Sequence, residues 1–121
     1  MLTSLGRFLR KLRIDRNELL KDMAQKLEVS VSFLSAVENG KKKMPSEWNS
    51  RICFLYDLDD AQQGQFTEAI AETEKSLDID LEASNDAGRR LAVSFARKLP
   101  YLTDEQIRAM QRIMQKREEE E

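Results

Sequence analysis

Apolar residues recur at helical spacing along most of the chain, with polar residues between them. Near the N-terminus they occupy positions i, i+3, i+4 and i+7, namely Leu5, Phe8, Leu9 and Leu12. This spacing predicts a first helix with one apolar face, and Thr3 or Ser4 is of the type that caps a helix N-terminus.

Polar residues of the capping type also mark the starts of the next three predicted helices. They are Asn17, Ser30 and Ser46. The helix after Ser30 is short and ends at Asn39-Gly40, since a glycine at that place is typical of a helix C-terminus. After Leu58 the composition turns acidic, and we place a domain boundary there.

The second half of the chain, residues 59–121, predicts three more helices. The first follows the aspartates at 59–60, the second spans roughly 86–98, and Thr103 with Gln106 forms a capping box for the last. The four final glutamates carry charge that opposes the dipole of a helix C-terminus, so we expect a disordered acidic tail.

One short segment, LDIDL at residues 77–81, alternates apolar and acidic residues and predicts a strand. A lone strand needs a partner, and a second copy of the chain could supply it. An acidic half of this size also buries little core by itself. We therefore expect Leu77, Ile79 and Leu81, with the helices around residues 86–117, to form a dimer interface.

Two of the predicted helices, joined by a tight turn, occupy residues 18–39 with the spacing of a helix-turn-helix motif. Ala24 is small where the two helices must cross. Leu34 and Val37 can anchor the second helix in the core. Its outward positions are small and uncharged, so this helix could sit deep in a DNA major groove; they are Val31, Ser32, Ser35, Ala36 and Asn39.

Charge is distributed unevenly along the 121 residues, although the net charge is only −2. Residues 1–58 carry 11 basic and 7 acidic residues, whereas residues 59–121 carry 9 and 15. The first half is thus the place to look for a basic binding face. Three lysines, at positions 41–43, directly follow the second motif helix.

Several classes of function find little support in the composition. There is one cysteine and no histidine, which argues against a disulfide framework, the usual zinc sites and histidine-based catalysis. No apolar run approaches the ~20 residues that span a bilayer, and no signal segment stands at the N-terminus. We expect a soluble cytoplasmic protein that is not an enzyme and needs no cofactor.

The chain resembles the DNA-binding domain of the phage repressor/Cro family, also called the XRE family. The matching text is LRKLR at 9–13 and DMAQKLEVSVSFLSAVENGKKK at 22–43. The resemblance implies an all-α fold, in which a five-helix, repressor-like helix-turn-helix domain binds operator DNA as a dimer. We therefore expect a DNA-binding domain over residues 1–58, followed at 59–121 by a mostly helical dimerisation or partner region with one possible short strand.

The resemblance also assigns roles to individual residues. By position, Val31, Ser32, Ser35 and Ala36 face the bases, while the sugar-phosphate backbone is met by Ser30, Asn39, Lys41, Lys42 and Lys43. Arg13 and Glu38 match a pair that forms an internal salt bridge in the family. Two departures stand out: Glu28 replaces the frequent glycine of the turn, and Leu20 replaces a glutamine that can hold phosphate.

Two functions are compatible with these features. The first is a sequence-specific regulator of transcription, a repressor that binds a palindromic site as a homodimer. The second is an antitoxin of a toxin–antitoxin pair, whose second half binds a toxin protein while the first half autoregulates its operon. A self-dimerised second half favours the regulator, and one that stays mobile until a partner arrives favours the antitoxin.

Overall fold

A computed structural model describes the backbone of residues 1–120 and the side chains of residues 1–115. Throughout this range the regular elements are helices: α1 Ser4–Asp15, α2 Leu20–Lys26, α3 Val31–Glu38, α4 Trp48–Leu55, α5 Asp60–Thr73, α6 Asp86–Lys98 and α7 Asp104–Glu120. A short 3-10 helix, Leu99–Tyr101, follows α6. The chain divides into two compact units, Met1–Ile79 and the residues from Asp80 onward.

The first unit contains the hydrophobic core, and all five helices of this unit contribute residues to it. The apolar stripe of α1 is confirmed, because Leu5, Leu9 and Leu12 are at most 3% exposed. Phe8 is partly buried and stacks on Phe66 of α5, with ring centroids 5.1 Å apart. Helix α5 therefore packs on α1 within the same unit. The other buried core residues are Met23, Ala24, Leu27, Leu34, Val37, Met44, Trp48, Ile52, Tyr56 and Leu58.

Side chains cap most of the helices where the sequence predicts it. The hydroxyl of Thr3 accepts from the Gly6 amide at 3.0 Å at the start of α1. Asp59 and Gln62 form a reciprocal pair at the start of α5, as Thr103 and Gln106 do at the start of α7. Each pair satisfies two backbone N–H groups that have no partner within the helix.

Two predicted caps are wrong. Asn17 has a positive φ of 55° and lies in the loop before α2, which begins three residues later at Leu20. Asparagine suits left-handed backbone as well as a helix cap, so the residue type alone could not separate the two roles. Ser46 also precedes its helix: α4 begins at Trp48 after Glu47, which makes no capping hydrogen bond.

The predicted strand at residues 77–81 is not formed. These residues have no regular secondary structure in the described chain, and Leu77 and Ile79 are 59% and 61% exposed. Alternating apolar and polar residues favour extended backbone, but a strand also requires a neighbour with which to exchange hydrogen bonds. No segment of the described chain offers one, and pairing with a second copy stays a prediction.

Residues from Asp80 onward contain α6, the 3-10 helix and α7, with few buried side chains. No residue of α6 is buried, and the large apolar residues of this unit lie at its surface. They are Leu91, Val93, Phe95, Leu99, Tyr101, Met110, Ile113 and Met114. The backbone of α7 continues to Glu120, whereas the side chains of residues 116–121 lie outside the described part, and the predicted disorder of the tail stays a prediction.

The turn between α2 and α3 contains Glu28 in left-handed backbone, with φ 58°. A glycine adopts this conformation without steric cost, whereas a residue with a Cβ atom does so at a penalty. The carboxylate of Glu28 accepts from Arg51 Nη2 of α4 at 2.6 Å. Arg51 lowers the pKa of Glu28 through this hydrogen bond and its charge. The turn thus has left-handed geometry at a residue that carries a side chain, where a glycine would be free of strain.

Glu38, the last residue of α3, attaches this helix to α1 at two places. Its carboxylate forms a buried, bidentate ion pair with Arg13, whose Nη2 lies 3.1 Å from Oε1. Its backbone carbonyl accepts from both the amide and the hydroxyl of Thr3, each at 3.0 Å. A Cβ atom at Gly6 would lie 2.2 Å from the same carbonyl oxygen, so only glycine permits this approach of α1 to α3.

Replacement of Glu38 by alanine should destabilise the protein by about 3–5 kcal/mol, since it leaves the Arg13 guanidinium buried without a partner. Urea unfolding followed by circular dichroism measures this change. Glu68→Ala is the matched control at an exposed position of α5, where we expect a change within about 0.5 kcal/mol.

The double variant Arg13→Met/Glu38→Leu removes both charges, and we expect it to recover most of the stability that Glu38→Ala loses. A loss below about 1 kcal/mol in Glu38→Ala would contradict a structural role for this ion pair.

Candidate nucleic-acid interface

Helices α2 and α3 are held in a fixed crossing by buried side chains and by the turn between them. Ala24 of α2 is 2% exposed, and its carbonyl accepts from the Val29 amide at 3.0 Å. Leu34 and Val37 of α3 are at most 1% exposed. Because these two residues anchor one side of α3 in the core, the opposite side faces solvent.

The four residues predicted to face bases lie together on this outer side. Val31 is 44% exposed, Ser32 is exposed, and Ser35 and Ala36 are half-buried. Together with Leu20 of α2 and residues at the end of α3, they line one shallow surface depression, whose full lining is Leu20, Val31, Ser32, Ser35, Ala36, Asn39 and Lys41. The depression is uncharged apart from Lys41 at its edge.

The polar residues at the two ends of α3 also serve the helix itself. Ser30 caps its N-terminus, because the hydroxyl oxygen accepts from the Phe33 amide at 3.0 Å. At the C-terminus, Asn39 Nδ2 donates to the Ser35 carbonyl at 2.9 Å. Asn39 Nδ2 also lies 3.4 Å from Ser35 Oγ, whereas the hydroxyl proton of Ser30 is left for another acceptor.

Residues 41–43 form an exposed basic loop directly after α3. The Lys41 and Lys42 amides both donate to the Ala36 carbonyl, at 2.8 and 3.2 Å, which folds the loop back against α3. Gly40 before them has φ 77°, a conformation that favours glycine. Lys41 and Lys42 make no ion pair within the described residues, whereas Lys43 lies 3.3 Å from the carboxylate of Asp78.

A second polar cluster is formed by Glu18 before α2, Lys26 at the end of α2 and Tyr56 at the end of α4. Glu18 accepts from Lys26 and, at 2.7 Å, from the Tyr56 hydroxyl. Burial raises the pKa of Glu18, but the hydrogen bonds from Lys26 and Tyr56 outweigh this effect and lower it. Burial, and then the bond to Glu18, raises the pKa of Tyr56. The cluster connects the loop before α2 to the end of α4, and none of its residues lines the depression on α3.

The single cysteine and the acidic side chains are the remaining candidates for reactive or metal-binding groups. Cys53 is a free thiol that packs against the core, and burial raises its pKa, which favours the protonated and less nucleophilic form. Among the side chains of residues 1–115, no three cysteine or carboxylate groups lie close enough to hold a metal ion. In the described part of the chain, no helix has the length and apolar character that a membrane crossing requires.

The residues predicted for a dimer interface are not among those that line the α3 depression. Leu77 lines a groove of the first unit together with Cys53, Phe66 and Ile70. Ile79 is exposed at the end of that unit, and Leu81 is half-buried at the start of the second. Arg13 and Glu38 lie in the core of the first unit and act on the α3 surface by orienting the helix.

The sequence prediction of the site omitted two features. Leu20, noted only as a departure from the family pattern, contributes to the depression because the first turn of α2 lies beside α3. Ser76 and Asp78 hold Lys43 although they are more than 30 residues away along the chain. The alternation of LDIDL was a signal that Asp78 faces away from Leu77, but nothing in the sequence indicated which cation it would meet.

A family model described as "Helix-turn-helix domain" matches residues 4–65, which cover α1–α4 and the first turns of α5. Searches of curated proteins and of solved structures found no match. The matched region includes the whole of the depression and the basic loop, and it spans half of the chain, so this protein belongs to the helix-turn-helix domain family, whose fold is typical of DNA-binding regulators.

Proposed function

We propose that this protein is a sequence-specific, double-stranded DNA-binding regulator of transcription, a repressor of the phage repressor/Cro type. One observation carries the proposal: the uncharged depression on α3 is bordered by the basic loop 41–43. A helix with small outward side chains fits the major groove, and adjacent lysines attract the DNA phosphates that border this groove. The proposal requires no cofactor and no catalytic group.

In this proposal the bases are contacted from the depression. The methyl groups of Val31 and Ala36 suit the C5-methyl group of thymine, while Ser32 and Ser35 can donate to or accept from base edges. Ser32 is the more available of the two, because Ser35 Oγ already has Asn39 Nδ2 at 3.4 Å. Leu20 adds an apolar contact where the family's glutamine would hold a phosphate.

The phosphates are contacted from the two ends of α3. Ser30 supplies a hydroxyl proton at the helix N-terminus, where the helix dipole also favours an anion. Asn39 and the three lysines supply donors at the other end. Such contacts fix the position of the protein on the duplex and carry no sequence information.

The proposal includes a homodimer as the form that binds DNA. Helix-turn-helix domains commonly bind two half-sites related by two-fold symmetry. The exposed apolar residues of α6 and α7, with Leu77, Ile79 and Leu81, provide surface for such a contact. We expect a second copy of the chain to bury these residues.

The same apolar surface supports the alternative function, an antitoxin. In that case a toxin protein binds to α6 and α7, and DNA binding serves autoregulation. The alternative differs from the first proposal in the partner of the second unit and not in the DNA-binding surface.

Selection of duplex DNA from a random pool by the purified protein, at about physiological salt, tests the proposed function. We expect enrichment of an inverted repeat whose half-site centres lie about 10 bp apart or a multiple of that distance. Salt-sensitive binding without enrichment of any sequence would contradict sequence-specific regulation by the chain alone.

Lys41→Ala and Lys42→Ala should each weaken binding of specific and random duplexes alike, and each should lower the slope of log K against log salt concentration by about 1. Fluorescence anisotropy at several salt concentrations measures both quantities. Lys98→Ala, an exposed lysine at the end of α6, is the control with the same loss of charge and should leave the slope unchanged. A loss confined to the specific duplex would instead assign that lysine to base recognition.

Ile79→Asp should convert the protein from dimer to monomer, because it inserts a charge into the proposed interface, and light scattering measures the mass. Ile14→Asp is the matched control, since Ile14 has nearly the same exposure, 63% against 61%, but lies on α1. An unchanged dimer mass for Ile79→Asp would contradict this interface. A monomeric wild-type chain would contradict the homodimer itself and favour the antitoxin.

A further inference from the structure

Lys43 is the one lysine of the basic loop whose side chain is held by another part of the first unit. Its Nζ donates to Ser76 Oγ at 3.0 Å and lies 3.3 Å from Asp78 Oδ2. Ser76 and Asp78 belong to residues 74–79, which we call the α5 extension because they directly follow α5. The α5 extension therefore forms an ion pair with a lysine at the edge of the proposed DNA-binding surface.

The end of α5 is fixed next to α1 and thereby directs the extension toward the basic loop. Thr73 Oγ1 accepts from the Leu5 amide at 3.1 Å, and Ser4 Oγ donates to Glu72 at 2.7 Å. The N-terminus of α1 also meets the end of α3 through Thr3 and Glu38. The ends of α3 and α5 are thus both attached to the first turn of α1.

The alternating pattern of the extension fits this position. Leu77 lines a groove of the same unit, together with Cys53, Phe66 and Ile70. Asp78 follows Leu77 and is 80% exposed, with its carboxylate directed at Lys43. With Leu77 at the groove, the carboxylate of the next residue, Asp78, reaches the basic loop at Lys43.

We propose that the α5 extension is an internal competitor for DNA: Asp78 occupies the place of a backbone phosphate at Lys43 and has to leave when a duplex binds. The inference rests on the proposed function, because it assumes that Lys43 contacts phosphate. A carboxylate and a phosphate are both anionic oxygen acceptors for the same ammonium group, so one Lys43 cannot satisfy both at full strength. Since both partners are exposed, the competition costs about twofold to fivefold in affinity.

Asp78→Asn tests the competition. This variant should bind the selected duplex about twofold to fivefold more tightly than the wild type at physiological salt, measured by fluorescence anisotropy. Asp80→Asn is the matched control: Asp80 accepts from the Glu82 amide at 2.9 Å, which asparagine can also do, and the change in charge is the same. Equal gains in both variants would overturn the proposal, because they would reflect net charge alone.

Lys43 provides the second control. In a Lys43→Ala background, Asp78→Asn should change affinity no more than Asp80→Asn does, since the cation for which Asp78 competes is gone. A gain that persists in this background would overturn the proposal. Light scattering on all variants should give the wild-type mass, so that a change in affinity cannot arise from a change in dimerisation.

A measurement without DNA separates this inference from the proposed function. Acylation of lysine amines, followed by peptide mapping, should modify Lys43 faster in Asp78→Asn than in the wild type, with Lys41 as the internal reference. Unchanged Lys43 reactivity would overturn the contact itself. Faster acylation without tighter binding, in a protein that does bind DNA, would overturn the competition. Faster acylation in a protein that binds no duplex would overturn the proposed function, and the competition with it.

Discussion

The position of the proposed recognition surface depends on Glu38. Its carboxylate pairs with Arg13 near the end of α1, while its carbonyl accepts from Thr3 at the beginning of α1. These contacts attach one residue of α3 to two places of α1 about ten residues apart, and Gly6 allows the two backbones to meet between them. A helix with only eight residues has little stability of its own, so these contacts and the burial of Leu34 determine which side of α3 is exposed.

Most helices could be predicted from the sequence because the core is built from regularly spaced apolar residues. Prediction failed where one residue type suits two conformations. Asn17 fits a helix cap and left-handed backbone equally well, and the LDIDL alternation fits a strand or an extended segment without a partner. The place of α5 was also difficult to foresee, because its attachment to α1 depends on contacts between distant residues. Phe66 stacks on Phe8, and Glu72 and Thr73 bond to the first turn of α1.

The residues of the candidate site could be predicted more completely than the helix boundaries, and for a different reason. The resemblance fixed Val31, Ser32, Ser35 and Ala36 by position, and the structure brings these four residues together in one depression. Contacts between distant segments were beyond prediction. Leu20 enters the depression only through the crossing of α2 and α3, and the contact of Lys43 with Asp78 depends on where α5 ends. Such contacts are set by the packing of helices, which spacing along the chain does not determine.

The α5 extension also links the two proposed surfaces of the protein. Asp78, which holds Lys43, lies between Leu77 and Ile79, which we assign to the dimer contact. If the proposed interface uses these two residues, it restrains the backbone on both sides of Asp78, and dimerisation can then influence the contact of Asp78 with Lys43. Because such coupling is reciprocal, a dimer contact that keeps Asp78 at Lys43 weakens DNA binding, and DNA then weakens that dimer. A contact that draws Asp78 away strengthens both, and this second arrangement is the one that favours a dimer on an operator with two half-sites.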